Sequence, residues 1–183
     1  MTLPLILFEV IEMKETKVYI VNLRSYNNGM TRGAWFDLPV DFNSVMEKIG
    51  VDGTASGGEE YAIHDKENPY GLPITEYSSI EQLNEWAEQL DSLPDNVLKN
   101  LKSIIAAGYE TIEKVLDSEG ENYEFYEASS LESLGMEIID ETGIRELSNE
   151  TLSFYFDYEA YARDYSIENS VFDGDDGKIE YRT

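Results

Sequence analysis

Between Tyr109 and Tyr181 carboxylates recur every few residues without ever gathering into one block. The stretch opens YETIEKVLDSEGENYEFYEASSLESLGMEIIDETG and closes with FYFDYEAYARDYS and SVFDGDDGKIEY. Tyr, Phe and Leu are interleaved with the acids, and only Lys114, Arg145, Arg163 and Lys178 interrupt it as bases. Such a segment can bury a core and still present an almost unbroken negative surface. Over the whole chain, 38 Asp and Glu face 13 Lys and Arg, a formal charge of −25. Self-repulsion of this size opposes compactness, so a folded chain needs a reason to carry it. A content of 42% hydrophobic and 12% aromatic residues argues against disorder, which wants few aromatics.

The charge excludes more than it selects. Direct nucleic-acid binding lacks the basic footprint that neutralises phosphates. The absence of cysteine removes disulfides, thiolate metal sites and thiol nucleophiles, and fits a reducing cytoplasm. The N-terminal MTLPLILFEVIE is apolar but too short to span a bilayer, and it lacks a basic n-region and a cleavage site. It reads as a short extension or an added strand, and no other stretch reads as transmembrane. Three bland sources of acidity remain: salt adaptation, calcium binding and a solvated face without special function.

Read in order, the chain is α+β. Lys17–Leu23 and Gly33–Leu38 read as strands from their β-branched and aromatic content, with turn residues at 25–29 between them and Pro39 ending the second. Asp41 caps a helix whose apolar face is Phe42, Val45, Met46 and Ile49, stopped by Gly50. A glycine-rich loop leads to a third strand at Glu60–His64. This ββαβ-like order defines a small α+β domain, 17–72, behind an N-terminal extension, 1–16.

The middle, 73–108, reads as a central helical domain. Ser78 with Glu81, or Ser79 with Gln82, fits a capping box. Ile80, Leu83, Ala87 and Leu90 then form the buried stripe. A second helix turns Val97, Leu101, Ile104 and Ile105 inward, and the two suggest a helical hairpin over 76–107.

The acidic α+β domain is 109–183. Helix continues over Tyr109–Asp117, and a strand covers Asn122–Glu127. Ser129 or Ser130 caps a helix to Thr142, with Leu131, Leu134, Ile138 and Ile139 inward and Gly143 as its stop. A tyrosine-rich helix or helix-and-turn spans Thr151–Tyr165. Tyr155, Tyr158, Tyr161 and Tyr165 share one face of it, as an aromatic core or subunit contact more often than a binding stripe. A hairpin crosses DGDDG at 173–177. The expected architecture is an elongated chain of about three small domains.

Sequence motifs for chemistry fail on inspection. Gly53–Gly58 has the glycine spacing of a phosphate loop, but Glu59 stands where a lysine must reach the phosphates. DGDDG places its turn glycine one position early for a calcium loop, and the chain ends before the bidentate glutamate. The one histidine, His64 beside Asp65, lacks a nucleophile elbow and is alone too few for a dedicated metal site. Carboxylate pairs of the glycosidase kind carry no specificity in a chain with 38 acids. The reading is therefore of no enzyme and no cofactor.

The acids make better sense as a surface. Duplex DNA carries about one charge per 1.7 Å of axis, so a dimer of this chain, at twice −25, would match the charge of roughly 85 Å of duplex. Carboxylates three or four apart on a helix lie about 4.5 to 6 Å apart along its axis, within about twofold of the phosphate spacing on one strand. The residues assigned to this face are Glu110, Glu113, Asp117, Glu119, Glu121, Glu124, Glu127, Glu132, Glu137, Asp140 and Glu141. It extends back to Glu81, Glu85 and Glu88 on the central helix.

Five segments carry a resemblance. KVYIVNLRSYNNG, GAWFDLPVDFNSVMEKIG, EEYAIHDKE, YSSIEQLNEWAEQL and FDYEAYARDY resemble, in order, the ArdA antirestriction proteins of plasmids and conjugative transposons. The strongest likeness lies at Gly33–Val40, at Tyr61–Asp65 and in the DYxAYxRD pattern of Asp157–Asp164. The N-terminal dozen residues and the 52–58 loop depart from the usual pattern. The resemblance implies a mimic of bent DNA, acting as a homodimer of elongated three-domain subunits. It implies as partner the DNA-binding groove of type I restriction–modification enzymes, in their methyltransferase–specificity core. By position it also adds Asp157, Glu159 and Asp164 to the acidic face. The alternative from a different class is an acidic calcium-binding or salt-adapted interaction module.

Overall fold

The computed structural model describes residues 15–51, 61–142, 154 and 156–182. Its architecture is α+β, with two small antiparallel sheets and helices against them. The chain divides into two compact units: residues 1–69 with 74–88, and 70–73 with 89–183.

The first unit is built on β1 (Lys17–Asn22), which lies between β2 (Gly33–Asp37) and β3 (Tyr61–Glu67) and pairs antiparallel with both. Both edges of this central strand are paired, and Val18, Ile20 and Val21 on it are buried. The third strand runs beyond the expected His64 to Glu67, with a register shift opposite Tyr19 and Ile20. Between β1 and β2 the sequence suggests turn residues, whereas the structure forms a short helix, α1 (Leu23–Asn27). Its cause is Asn22, whose buried Oδ1 accepts from the Ser25 N–H at 2.9 Å. The same side chain donates through Nδ2 to the Ile49 and Gly50 carbonyls at 3.3 and 3.1 Å. One amide thus satisfies the start of α1 and the end of α2 (Phe42–Ile49).

Helix α2 starts and stops as its sequence dictates. Asp41 accepts from the Ser44 N–H at 2.8 Å, and Gly50 ends the helix at φ 70°. Its buried face is narrower than expected, however. Val45 and Ile49 are buried, Met46 is half-buried, and Phe42 is 49% exposed. The first helical residue simply overhangs the sheet that receives the rest of that face.

Helix α3 (Ile80–Leu90) begins under a Ser79 cap, the Ser79 Oγ accepting from the Gln82 N–H at 3.1 Å. The Ser78 hydroxyl accepts from the Thr75 N–H instead. Ile80, Leu83, Ala87 and Leu90 are buried as the stripe predicts, and Trp86 joins them. Asn84 grips the Val40 backbone twice, accepting at 2.8 Å and donating at 2.7 Å.

In the second unit, α4 (Asp95–Ala107) buries Val97, Leu98, Leu101 and Ile104 and ends at Gly108. The helix expected to continue through Tyr109 is interrupted there, and α5 (Ile112–Asp117) starts afresh behind Thr111. A second sheet has the order β4 (Tyr123–Tyr126), β6 (Lys178–Tyr181), β5 (Val171–Asp173). Two helices complete the unit: α6 (Leu131–Thr142), capped by Ser130, whose Oγ accepts from the Ser133 N–H at 3.1 Å, and α7 (Tyr158–Glu168). Tyr126, Ala128, Leu134, Ile138 and Ala162 form the core here, with Leu131, Tyr161, Tyr165 and Val171 packed on it. A Cβ on Gly135 would lie 2.4 Å from the Tyr158 carbonyl oxygen, so this glycine permits the close approach of α6 and α7. The expected residue Gly143 and the Thr151–Ser153 start of the tyrosine-rich segment lie outside the described residues, as does the 52–60 loop.

Candidate interaction surface

The assigned carboxylates sit on separate elements, each held by the apolar side opposite it. Glu113 and Asp117 stand on α5, whose Ile112, Val115 and Leu116 are buried. Glu119 and Glu121 follow in the tight turn before β4. Glu132, Asp140 and Glu141 project from α6, opposite Leu134, Ile138 and Ile139. Glu127 lies after β4, and Asp157, Glu159 and Asp164 lie on or next to α7. All of these are exposed, as are Glu81, Glu85 and Glu88 in the first unit; only Glu110, Glu124 and Glu137 are half-buried.

The three half-buried acids have different surroundings. Glu124 Oε2 meets Arg182 Nη1 at 2.9 Å. Glu110 Oε1 accepts from Asn122 Nδ2 at 3.1 Å, while its Oε2 and the Tyr123 hydroxyl are buried without a hydrogen bond of normal geometry. Burial first, and the Glu110 charge second, push the Tyr123 phenol well above its ordinary value. Glu137 is raised by burial and then by the charges of Glu127 and Glu141. The charges of Glu127 and Glu141 thus add to burial in opposing the ionisation of Glu137.

Some assigned acids already have work in the fold. Asp157 is the N-cap of α7, accepting from the Ala160 N–H at 2.9 Å. Asp117 accepts from Gln89 Nε2 at 3.4 Å. Among the described residues, Glu113, Glu119, Glu121, Glu132, Asp140 and Glu159 meet no cation within salt-bridge distance.

The sequence reading missed the carboxylate with the most elaborate setting. Glu180, on the central strand β6, is buried. Its Oε2 accepts from the hydroxyls of Tyr126 and Tyr165, each at 3.0 Å, and its Oε1 accepts from Arg182 Nε at 3.1 Å. Burial, and then the Glu180 hydrogen bond, raise both tyrosines. Hydrogen bonding to Glu180 likewise raises the Arg182 guanidinium. The signal available was Glu180-x-Arg182, a spacing that puts acid and base on one face of a strand.

The motifs rejected in the sequence are occupied otherwise. The DGDDG turn is pinned by its own carboxylates: Asp173 binds Lys178, Asp176 meets Lys99 at 3.4 Å, and Asp175 accepts from Ser103 Oγ at 3.3 Å. Its Asp175 N–H also donates to Asn100 Oδ1 at 2.7 Å. His64 is exposed, with its ring edge-on to Tyr26 at 4.7 Å. No group of three or more His, Asp or Glu is gathered to hold a metal among the described residues. No helix among them is long and apolar enough to cross a membrane. The tyrosine face of α7 serves the core: Tyr161 and Tyr165 pack on it, with ring centroids 6.1 Å apart, while Tyr155 lies outside the described residues.

The chain is α+β and, among its described residues, carries exposed carboxylates on many short elements that meet no cation. Residues 18–180 match the model of the antirestriction protein family ArdA, and the chain belongs to that family. Membership supports an antirestriction function directed at restriction–modification enzymes, in a family of inhibitor proteins. No curated protein matches the chain.

Proposed function

We propose that this chain mimics duplex DNA and occupies the DNA-binding groove of type I restriction–modification enzymes. It acts there as a stoichiometric inhibitor on the methyltransferase–specificity core, and so protects incoming mobile DNA. It works in the cytoplasm, as a homodimer, without reaction or cofactor. The observation that carries this reading is the set of exposed carboxylates, Glu113, Glu119, Glu121, Glu132, Asp140 and Glu159, that meet no cation among the described residues. A surface of fixed anions facing a basic groove releases counterions on association, and it steers the encounter. The calcium-module alternative is weakened by the DGDDG loop, whose acids are engaged with Lys178, Lys99 and Ser103.

The test is competition between the purified chain and labelled duplex for a methyltransferase–specificity complex. Displacement at one dimer per complex, falling steeply as salt rises, is the expected result. No displacement at low salt refutes the mimicry. Sedimentation at several concentrations checks the dimer. The division into small domains at 17–72, 73–108 and 109–183 belongs to the same proposal; limited proteolysis is expected to cut near 72 and 108, and cleavage within those spans instead counts against it.

A further inference from the structure

One concave feature lies within the first unit. Phe42, Tyr61, Ser79, Ile80, Glu81 and Asn84 line a cavity of about 490 Å³. That is within the roughly 300 to 1,000 Å³ of ordinary ligand pockets. We propose that this groove is a socket for an arginine side chain projecting from a basic partner protein. The inference rests on the DNA-mimic reading for the identity of that partner.

The walls are aromatic, and one of the two rings is tied to the backbone. Phe42 opens α2 with its side chain half exposed, and the Tyr61 ring stands 6.2 Å from it at 73°. The Tyr61 hydroxyl accepts from the Ile80 N–H at 3.2 Å, which ties that ring to the first turn of α3. Asn84 has both its carbonyl and its amide committed to Val40, and Ser79 accepts from Gln82. The Glu81 carboxylate is exposed and without a cation among the described residues.

Two rings set edge to face, with one anion beside them, select a planar cation. A phosphate or carboxylate would be repelled by Glu81. A neutral apolar group would strip water from that charge without replacing it. A lysine ammonium is compact and strongly hydrated, whereas a guanidinium is planar, weakly hydrated and stacks on aromatic faces. A protein surface, rather than a free amine, is the source that fits the rest of the helix. Glu85 and Glu88 stand exposed on α3 along from Glu81, so neighbouring bases of a basic surface find partners there. Arginine anchored in an aromatic pocket is also a common centre of binding energy. The acidic surface is then uneven: most of its charges are individually dispensable, and this one position is not.

The experiment titrates N-acetyl-arginine N-methylamide into the full-length chain and follows amide and aromatic resonances. Saturable shifts confined to Phe42, Tyr61 and Ser79–Asn84 are expected. The capped lysine analogue should bind several-fold more weakly, Phe42→Ala should abolish the shifts, and Glu81→Gln should weaken them several-fold. Phe42→Ala should also lower affinity for the methyltransferase–specificity complex about 10-fold, the size of a desolvated cation–π anchor. Trp35→Ala, a half-exposed aromatic outside the groove, should leave that affinity unchanged. Circular dichroism of each variant separates loss of binding from loss of fold. Shifts spread evenly over the acidic residues, or capped lysine binding as well as capped arginine, overturn the socket while leaving DNA competition intact. Capped arginine bound at the socket, with no competition against duplex by the wild-type chain, keeps the socket and refutes the mimicry. Wild-type competition by Phe42→Ala overturns the anchoring role.

Discussion

Replacing Arg182 by alanine strands a charge, and the structure sets the size of the effect. The Glu180 side chain is 7% exposed and that of Arg182 is 50% exposed. With Arg182 gone, the carboxylate keeps the Tyr126 and Tyr165 hydroxyls, both on Oε2, and loses its one cation. Breaking a wholly buried ion pair costs about 3 to 5 kcal/mol. Half of Arg182 lies in water, however, so solvent takes over part of its role. The loss belongs nearer a charge-assisted hydrogen bond, about 2 kcal/mol. The second contact, Arg182 to Glu124 at 2.9 Å, is of the surface kind and adds about 1 kcal/mol at most.

The sign of a second substitution is more diagnostic than that magnitude. In the native background Glu180→Gln removes an anion that has its cation and its donors, so it destabilises. In the Arg182→Ala background the same change removes a stranded buried charge, and it should restore about 1 kcal/mol. Urea unfolding followed by far-ultraviolet circular dichroism reads all four proteins at one fixed concentration, since the proposed dimer would couple to stability. If Glu180→Gln has the same sign and size in both backgrounds, Glu180 is not held as a charge by Arg182, and the reasoning fails.

Three further outcomes follow from the same geometry. Burial, then the Glu180 hydrogen bond, raise Tyr126 and Tyr165, so folding favours their protonated phenols. That stability is complete below the ordinary tyrosine value near 10 and is lost as pH rises through the higher folded values. A tyrosinate absorbance titration should show a fraction ionising late, together with alkaline unfolding. Glu137 is raised by burial, Glu127 and Glu141, so its contribution is complete below the ordinary glutamate value and fades as pH rises. Glu137→Gln should stabilise the chain at neutral pH by about 0.2 to 0.5 kcal/mol, read as a higher urea midpoint. Asp157→Ala should cost about 1 kcal/mol of thermal stability and Asp157→Asn almost none, because asparagine caps equally well; equal losses would contradict the cap.

What the sequence disclosed divides along a physical line. Local signals were legible because they act over one helical turn: Asp41 and Gly50 bound α2, and Ser130 starts α6. Features that depend on a distant partner were not. The turn after β1 became α1 because Asn22, buried, bridges to Ile49 and Gly50 far along the chain. Phe42 follows the helical period and still faces out, because the period gives a direction and not the extent of the sheet beneath it. The acids obey the same division. Their number and exposure could be read in advance, but not their employment. Asp41 and Asp157 cap helices, Asp173 and Asp176 fasten a hairpin to lysines, and Glu180 is closed inside the second unit with Arg182. Each of those charges is answered within the chain. The −25 already nets these acids against the bases they meet, so what tertiary contacts set is how many of the 38 carboxylates are left for a partner, which is why substitutions at Glu113 or Glu159 test an interaction and those at Asp157 or Glu180 test the fold.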